Sequence, residues 1–376
     1  LQDFKGAVSA KRCARYPQWD IGRALGLPEF HMSVDRRSHI VVAGAGSIGC
    51  YVGGCLALAG RDVTLLLRPA LAEAISRHGL RITDLDGADR WLQPSALKLT
   101  TNPASAFANA GVILVTVKSG ATREMAALIA QHADSQPVVV SLQNGVGNVD
   151  ALRARLHASQ VVVPGMVPFN VVQFSDALPP RFHRATSGTI LIAAEVAGLS
   201  DALSVAGAPV SARADMVAVL WAKLLFNLNN ALNALAGLAL ATQLADRRWR
   251  RVLAAQINEA LGVLAAANIR AARIERVPPR LIPTVLRLPN SIFRLVARRM
   301  LAIDPQARSS MWEDLQRCRP TEIDYLQGAI IALAEKTGTP TPITRRIVSL
   351  VKAAEGAGRG SPGLSPDQIT GASRTP

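Results

Sequence analysis

From Ser38 onward, short apolar runs alternate with longer stretches in which apolar residues recur at helical spacing. HIVVAGAG is an apolar run feeding a glycine turn, and SIGCYVGGCLALAG after it reads as a helix of small and apolar residues. DVTLLLRP, GVILVTVKS and PVVVSLQNG repeat the short run, with ALAEAISRHG and TREMAALIAQHA as helices among them. The runs are continuous rather than alternating, which predicts parallel strands covered on both faces. The pattern is that of a Rossmann-like, doubly wound α/β sheet. Between Gln160 and Ala194 it loosens, and VVVPGMVPFNVVQF and TSGTILIAAE predict further strands that could extend the sheet.

After Asp201 the strand signal fades. DMVAVLWAKLLFNLNNALNALAG, WRRVLAAQINEALGVLAAAN and TEIDYLQGAIIALAEKTG all carry helical periodicity, so the C-terminal domain is predicted to be mainly α-helical. Two domains follow: a first over 38–201, and a helical one over 202–354 that supplies substrate-binding and catalytic groups. Residues 1–37 mix charges with Pro17, Trp19 and Pro28 without a period. They read as a leader or upstream segment, partly disordered, with Met32 near the natural start. Residues 355–376, rich in Gly, Pro and Ser, read as a flexible tail.

Composition narrows the classes. The chain has 376 residues, 49% of them hydrophobic, which excludes global disorder. Its four cysteines, Cys13, Cys50, Cys55 and Cys318, have neither CxxC spacing nor a histidine cluster beside them, so a reducing, cytoplasmic setting without a metal site is expected. Lys223 and Asn227 interrupt the longest apolar stretch, so no membrane partner is expected. The net charge is +15, with nine arginines between Arg270 and Arg308 facing only Glu275 and Asp304. No aromatic platform is interleaved with them, and nucleic acid is not expected as a partner.

The chemistry begins at GAGSIG, which sets Gly44, Gly46 and Gly49 in GxGxxG spacing with Ala45, Ser47 and Ile48 between them. A strand precedes it and a helix follows, the context that a dinucleotide site requires. Gly44 would make the tight turn, Gly46 would admit the pyrophosphate, and Gly49 would let the helix approach its strand. The 38–201 domain is therefore read as dinucleotide-binding. Its second strand ends in LLLRP rather than in an acid. Arg68 thus offers a positive partner for a 2′-phosphate, favouring NADP(H) over NAD(H). Lys118 and Asn144 follow two other strands, at the sheet edge where nucleotides bind.

KLLFNLNNALNAL is the least expected stretch. Lys223, Asn227 and Asn230 fall on one helical face, with Asn233 near the same stripe and Asn229 away from it. Each amide or ammonium buried there needs a partner. A reaction cleft would explain them, and so would an interhelical hydrogen-bond network. In SSMWEDLQRCRPTEIDYLQG, Ser309 or Ser310 can cap one helix and Thr321 another.

In their order, GAGSIG, VTVK, LQNG, WAKLLFNLNNALNAL and SSMWEDLQRCRPTEIDYLQG resemble the ketopantoate reductase (2-dehydropantoate 2-reductase) family, over roughly Ile40 to Leu350. The resemblance implies NADPH-dependent reduction of a small branched 2-keto acid in pantothenate biosynthesis. It implies Lys223 as general acid and Glu322 as the carboxylate that orients substrate and helps hold the lysine. It also implies Asn227 and Ser310 as substrate-binding residues, Lys118 and Asn144 at the nicotinamide end, and Arg68 at the 2′-phosphate. Two places depart from the pattern, one of them GTPTPIT near Gly338, which lacks the asparagine often found after its final proline. Eight residues after the lysine, some members carry a substrate-facing asparagine where this chain has Ala231, with Asn230 one position earlier. The departures keep two alternatives open, a related 2-hydroxy-acid or opine-type dehydrogenase and a dinucleotide-sensing protein without turnover. A homodimer also remains open.

Overall fold

The computed structural model describes residues 34–174, 177–273, 278–296 and 306–371. Its strands are β1 (Ile40–Ala43), β2 (Val63–Leu66), β3 (Leu80–Asp84), β4 (Asp89–Leu92), β5 (Lys98–Thr100), β6 (Val112–Val115), β7 (Val138–Ser141), β8 (Val162–Met166), β9 (Val171–Phe174), β10 (Arg181–Arg184), β11 (Ile190–Ala193) and β12 (Val210–Arg213). The helices of the first domain are α1 (Ser47–Leu58), α2 (Pro69–His78), α3 (Pro103–Phe107), α4 (Thr122–His132), α5 (Asn148–Arg153) and α6 (Leu199–Leu203). The second domain holds α7 (Met216–Asn227), α8 (Asn229–Ala236), α9 (Leu240–Ala245), α10 (Arg247–Ala266), α11 (Ile282–Arg287) and α12 (Asn290–Val296). It closes with α13 (Ser310–Gln316), α14 (Ile323–Thr337), α15 (Pro342–Ala357) and α16 (Pro366–Thr370).

The main sheet has the order β12-β11-β8-β7-β6-β1-β2-β5 and is parallel from β5 through β8. Strands β1, β2, β6 and β7 are buried at every position, so their sequences need no polar alternation. β1 is flanked by β2 and β6, and the connections leave it in opposite directions. That makes β1 the switch point of the sheet, the place where doubly wound sheets bind ligands beyond the carboxyl ends of the strands. The doubly wound α/β expectation holds.

The loosely patterned stretch splits. β8 and β11 extend the main sheet, while β9 and β10 join β3 and β4 in a second sheet of order β4-β3-β10-β9. Helix α1 packs between the two sheets. A Cβ at Gly53 would lie 2.3 Å from Leu65 of the main sheet, and one at Gly54 would lie 2.8 Å from Ile82 of the second. Small residues in α1 thus reflect contact on both sides.

The expected domain limits need three corrections. β12 pairs with β11, so the sheet domain runs past residue 201 to Arg213, because Val210 and its neighbours find a ladder partner there. Residues 1–33 of the predicted leader lie outside the described residues, but Val34 does not behave as leader. Its side chain is buried and its N–H donates to Ala197 O at 3.1 Å. Residues 355–371 of the predicted flexible tail are ordered. Ser361 Oγ donates to Ala234 O at 2.6 Å, Leu364 N–H to Leu235 O at 2.9 Å, and Ile369 is buried. Apolar residues spaced through the Gly/Pro-rich segment anchor it on the helical core. Among the described residues, no helix is long and apolar enough to cross a membrane.

Candidate active site

The glycine turn has the geometry its spacing predicts. Gly44 has φ +76°, and a Cβ there would lie 2.0 Å from Val117 Cγ1. At Gly49 a Cβ would lie 2.5 Å from Thr116 Oγ1 and 2.9 Å from Val42 Cγ1, so the helix start is packed directly on β1 and β6. Gly46 differs: nothing lies within 4 Å of the position its Cβ would take. The turn is therefore closed on its protein side and open at Gly46, as a cradle for a phosphate group must be. Ala45 N–H donates to Leu66 O at 2.9 Å, tying the turn to β2. Ser47 and Ile48 open α1, whose first turn carries no acidic residue and whose N-terminus has no side-chain cap. That leaves the positive end of the helix facing the cradle.

Arg68 lies just past β2 at the N-cap of α2, exposed and in extended conformation. Lys118 follows β6 and forms an ion pair with Asp314 of α13. Burial raises the pKa of Asp314, and Lys118 offsets only part of that rise. Asn144 is exposed after β7, and its carbonyl accepts from Asn148 Nδ2 at 2.8 Å and is within 3.0 Å of Ser119 Oγ.

The helical domain supplies the opposite wall. The KLLFNLNNALNAL stretch is two helices, α7 and α8, joined at Leu228. At that joint the Leu228 carbonyl accepts from Gln327 Nε2 of α14 at 3.0 Å. Lys223 is half-buried on α7, and its Nζ donates to Pro168 O at 3.4 Å. Burial lowers its pKa from 10.5 to about 8. One turn on, Asn227 is buried and its Nδ2 has no hydrogen-bond partner.

The remaining asparagines divide by role. Asn233 is fully buried and saturated: Nδ2 donates to Leu238 O and Gln243 Oε1, both at 2.9 Å, and Oδ1 accepts from Ser309 N–H at 2.8 Å. Asn229 Oδ1 accepts from Gln243 Nε2 at 3.1 Å. These two form the interhelical network. The Asn230 backbone carbonyl accepts from Ser309 Oγ at 3.0 Å, while its side chain is half-buried. Ala231 packs in the helical core with no exposed surface. Ser309 caps α13 through Trp312 N–H at 3.1 Å, which leaves Ser310 exposed as the first residue of that helix.

Glu322 sits at the N-cap of α14 and reaches across to the sheet domain. Its Oε1 accepts from both the backbone N–H and the Oγ of Ser119, each at 3.0 Å. Glu322 therefore bonds to Ser119, and Lys223 to Pro168. The expected contact in which the carboxylate holds the lysine is absent from this arrangement: Ser119 holds Oε1 of Glu322, and the lysine turns to the Pro168 carbonyl instead. The sequence reading also missed the buried chain Ser141, Gln143, Thr122, Asn148 and Ser119 beneath the Asn144 turn. Polar residues directly after two buried strands were its only signal.

The family model for the ketopantoate reductase PanE/ApbA matches residues 40–195, and that for its C-terminal domain matches residues 215–355. The chain belongs to the ketopantoate reductase family. It is accordingly an NAD(P)-dependent oxidoreductase. A 2-dehydropantoate 2-reductase of Halobacterium salinarum is 30% identical over 327 residues, covering 84% of this chain and 98% of the relative. Among solved structures, a ketopantoate reductase from Ralstonia eutropha JMP134 aligns with a TM-score of 0.71 at 27% identity, covering 85% of this chain and 99% of that one. A D-mandelate dehydrogenase in complex with NADH and anilino(oxo)acetate shares the fold, with a TM-score of 0.69 at 21% identity over 85% of this ketopantoate reductase family chain and 99% of that structure.

Proposed function

We propose that this protein reduces a small branched 2-keto acid to its 2-hydroxy acid with NADPH, and that the acid is 2-dehydropantoate, giving pantoate in the cytoplasm. The observation that carries this reading is the pair on α7. A half-buried ammonium with one carbonyl partner stands a turn away from a buried amide nitrogen with none. An orphaned buried donor costs about 1–3 kcal/mol, and a bound keto acid would relieve it.

The residues fit a dinucleotide. The cradle at Gly44, Ala45, Gly46, Ser47, Ile48 and Gly49 would hold the pyrophosphate, Arg68 a 2′-phosphate, and Lys118 and Asn144 the nicotinamide end. NADPH supplies the hydride. Lys223 donates the proton to the keto oxygen as negative charge develops there, a role suited to an acid whose pKa is about 8. Asn227, Asn230 and Ser310 orient the substrate by neutral hydrogen bonds, and Glu322 accepts from its hydroxyl group. Packing the two domains around the acid excludes water from Lys223.

A second reading rests on Ala231. A buried methyl group at this position removes a polar contact that would favour pantoate, so another branched 2-keto acid is the alternative substrate. Steady-state NADPH oxidation with pyruvate, 2-ketoisovalerate and ketopantoate separates the two. The highest kcat/KM is expected for ketopantoate. A clear preference for 2-ketoisovalerate selects the second reading, and uniformly negligible turnover removes both.

A further inference from the structure

Ser119 lies between the two walls of the site and belongs to neither set of residues named above. It is 2% exposed and directly follows Lys118. Asn148 Nδ2 donates to its Oγ at 3.2 Å, and the hydroxyl has two acceptors within 3.0 Å, Asn144 O and Glu322 Oε1. A hydroxyl has a single proton to give. Asn144 O already accepts from Asn148 Nδ2 at 2.8 Å, whereas Glu322 offers a charged acceptor, which forms the stronger bond. The proton therefore goes to Glu322, beside the Ser119 backbone N–H that donates to the same oxygen at 3.0 Å.

The buried chain behind Ser119 fixes this choice. Gln143 Nε2 donates to Thr122 Oγ1 at 2.6 Å, and Thr122 Oγ1 lies 2.9 Å from two acceptors, Asn148 Oδ1 and Ser119 O. The Asn144 carbonyl can only accept, so its 2.8 Å contact fixes Nδ2 of Asn148 on the side of Ser119. One lone pair of Ser119 Oγ is thereby filled, and its proton is directed outward across the cleft. Both Ser119 donors meet Oε1 of Glu322, and Oε2 takes no hydrogen bond from any described residue.

We propose that Ser119 is a positioning residue that pins Oε1 of Glu322 and leaves Oε2 as the acceptor presented to a hydroxylated keto acid. The inference deepens the keto-acid reading above and rests on it. Through Asn148, the same contact ties the Glu322 carboxylate to the turn that carries Asn144. Both sides of the reaction centre then share one reference point.

Ser119→Ala removes the hydroxyl and keeps the backbone donor. The KM for ketopantoate should rise about tenfold, the loss of a hydrogen bond to a charged group, while kcat and NADPH affinity stay within about threefold. With 2-ketoisovalerate, which has no hydroxyl for Oε2 to accept, the rise should shrink to less than about threefold. In a Glu322→Gln background the same substitution should change KM less than about twofold, because the Oε2 acceptor it positions is replaced by an NH2 donor. Ser119→Cys retains the size with a weaker donor and should shift KM in the same direction, which keeps the test usable if the alanine variant folds poorly. A urea-denaturation cycle over Ser119→Ala and Glu322→Ala, run without substrate, should show non-additive stabilities. An unchanged KM, an equal increment in both backgrounds, or additive stabilities overturn the proposal. Absence of turnover in the parent would overturn the keto-acid reading instead, while the denaturation cycle still decides the Ser119–Glu322 contact.

Discussion

Asn227 and Asn233 are the same residue type, six positions apart in one apolar run, and both are buried, at 9% and 0% exposure. Asn233 satisfies its amide with two acceptors and one backbone N–H, joining α8 to the Ser309 cap and to α9. Asn227 leaves its Nδ2 with nothing. Burial alone does not distinguish a structural amide from one that awaits a ligand; the partner list does. The saturated amide contributes to folding. The orphaned one costs folding about 1–3 kcal/mol, a cost expected to be offset only when substrate binds.

The sharpest test of that division lies one turn before Asn227. Lys223→Ala should slow hydride transfer in single turnover by about 10²–10⁴-fold, the usual share of a general acid, with NADPH binding and folding retained. A folded, cofactor-binding variant that transfers hydride at the parent rate would move Lys223 to the structural side of the comparison. The pH dependence sharpens it further. With its pKa lowered to about 8, the lysine loses its proton as pH rises through that value, so kcat/KM of the parent should fall above about pH 8 and the limb should vanish in the variant. An anionic substrate favours the charged form, so the limb in kcat should lie higher. Stability moves the other way. Between about 8 and 10.5 the unfolded chain binds the extra proton, so the burial penalty present below about pH 8 is relieved as pH rises.

Next in size is the contrast between the two amides themselves. Asn233→Ala strands Ser309 N–H and the acceptor Gln243 Oε1 in the core, and should lower unfolding free energy by about 2–3 kcal/mol in urea melts. Asn227→Ala removes an unpaired donor, so stability should hold within about 0.5 kcal/mol or improve. The same variant should raise KM for the keto acid about tenfold. Equal losses of stability in the two variants would break the comparison.

What could be read in advance follows the same division. Continuous apolar runs such as VILV and VVVS fix strands buried on both faces, because nothing else accommodates them so well. The glycine spacing was equally legible, since the requirements at Gly44 and Gly49 are steric and local. The segment around Ser361 and Leu364 was not. Its composition resembles a linker, and the contacts of Ser361 and Leu364 with α8 come from distant residues. Within the site, the 3.6-residue period placed Lys223, Asn227 and Asn230 on one face but could not say which amides were already paired. Ser119 was invisible for a related reason. Its neighbours Asn148 and Glu322 lie 29 and 203 positions away, and only the assembled domains bring them together.

The smallest expected effect concerns the other wall. Arg68 is exposed at the start of α2, where its guanidinium can meet a 2′-phosphate but remains in contact with water. A charge-assisted contact of this kind is worth about 1–3 kcal/mol, and solvent screening places Arg68 at the lower end. Arg68→Gln should therefore weaken NADPH binding by up to about tenfold and leave NADH binding within about twofold. Raising the salt concentration should narrow the parent's preference for NADPH and leave the variant's ratio nearly flat. Titration of both cofactors into parent and variant, by fluorescence at two ionic strengths, measures all four affinities. A ratio unchanged by the substitution would show that another group reads the phosphate. In that case the cofactor wall would repeat the lesson of the asparagines, a suitable residue in a suitable place whose contacts assign it elsewhere.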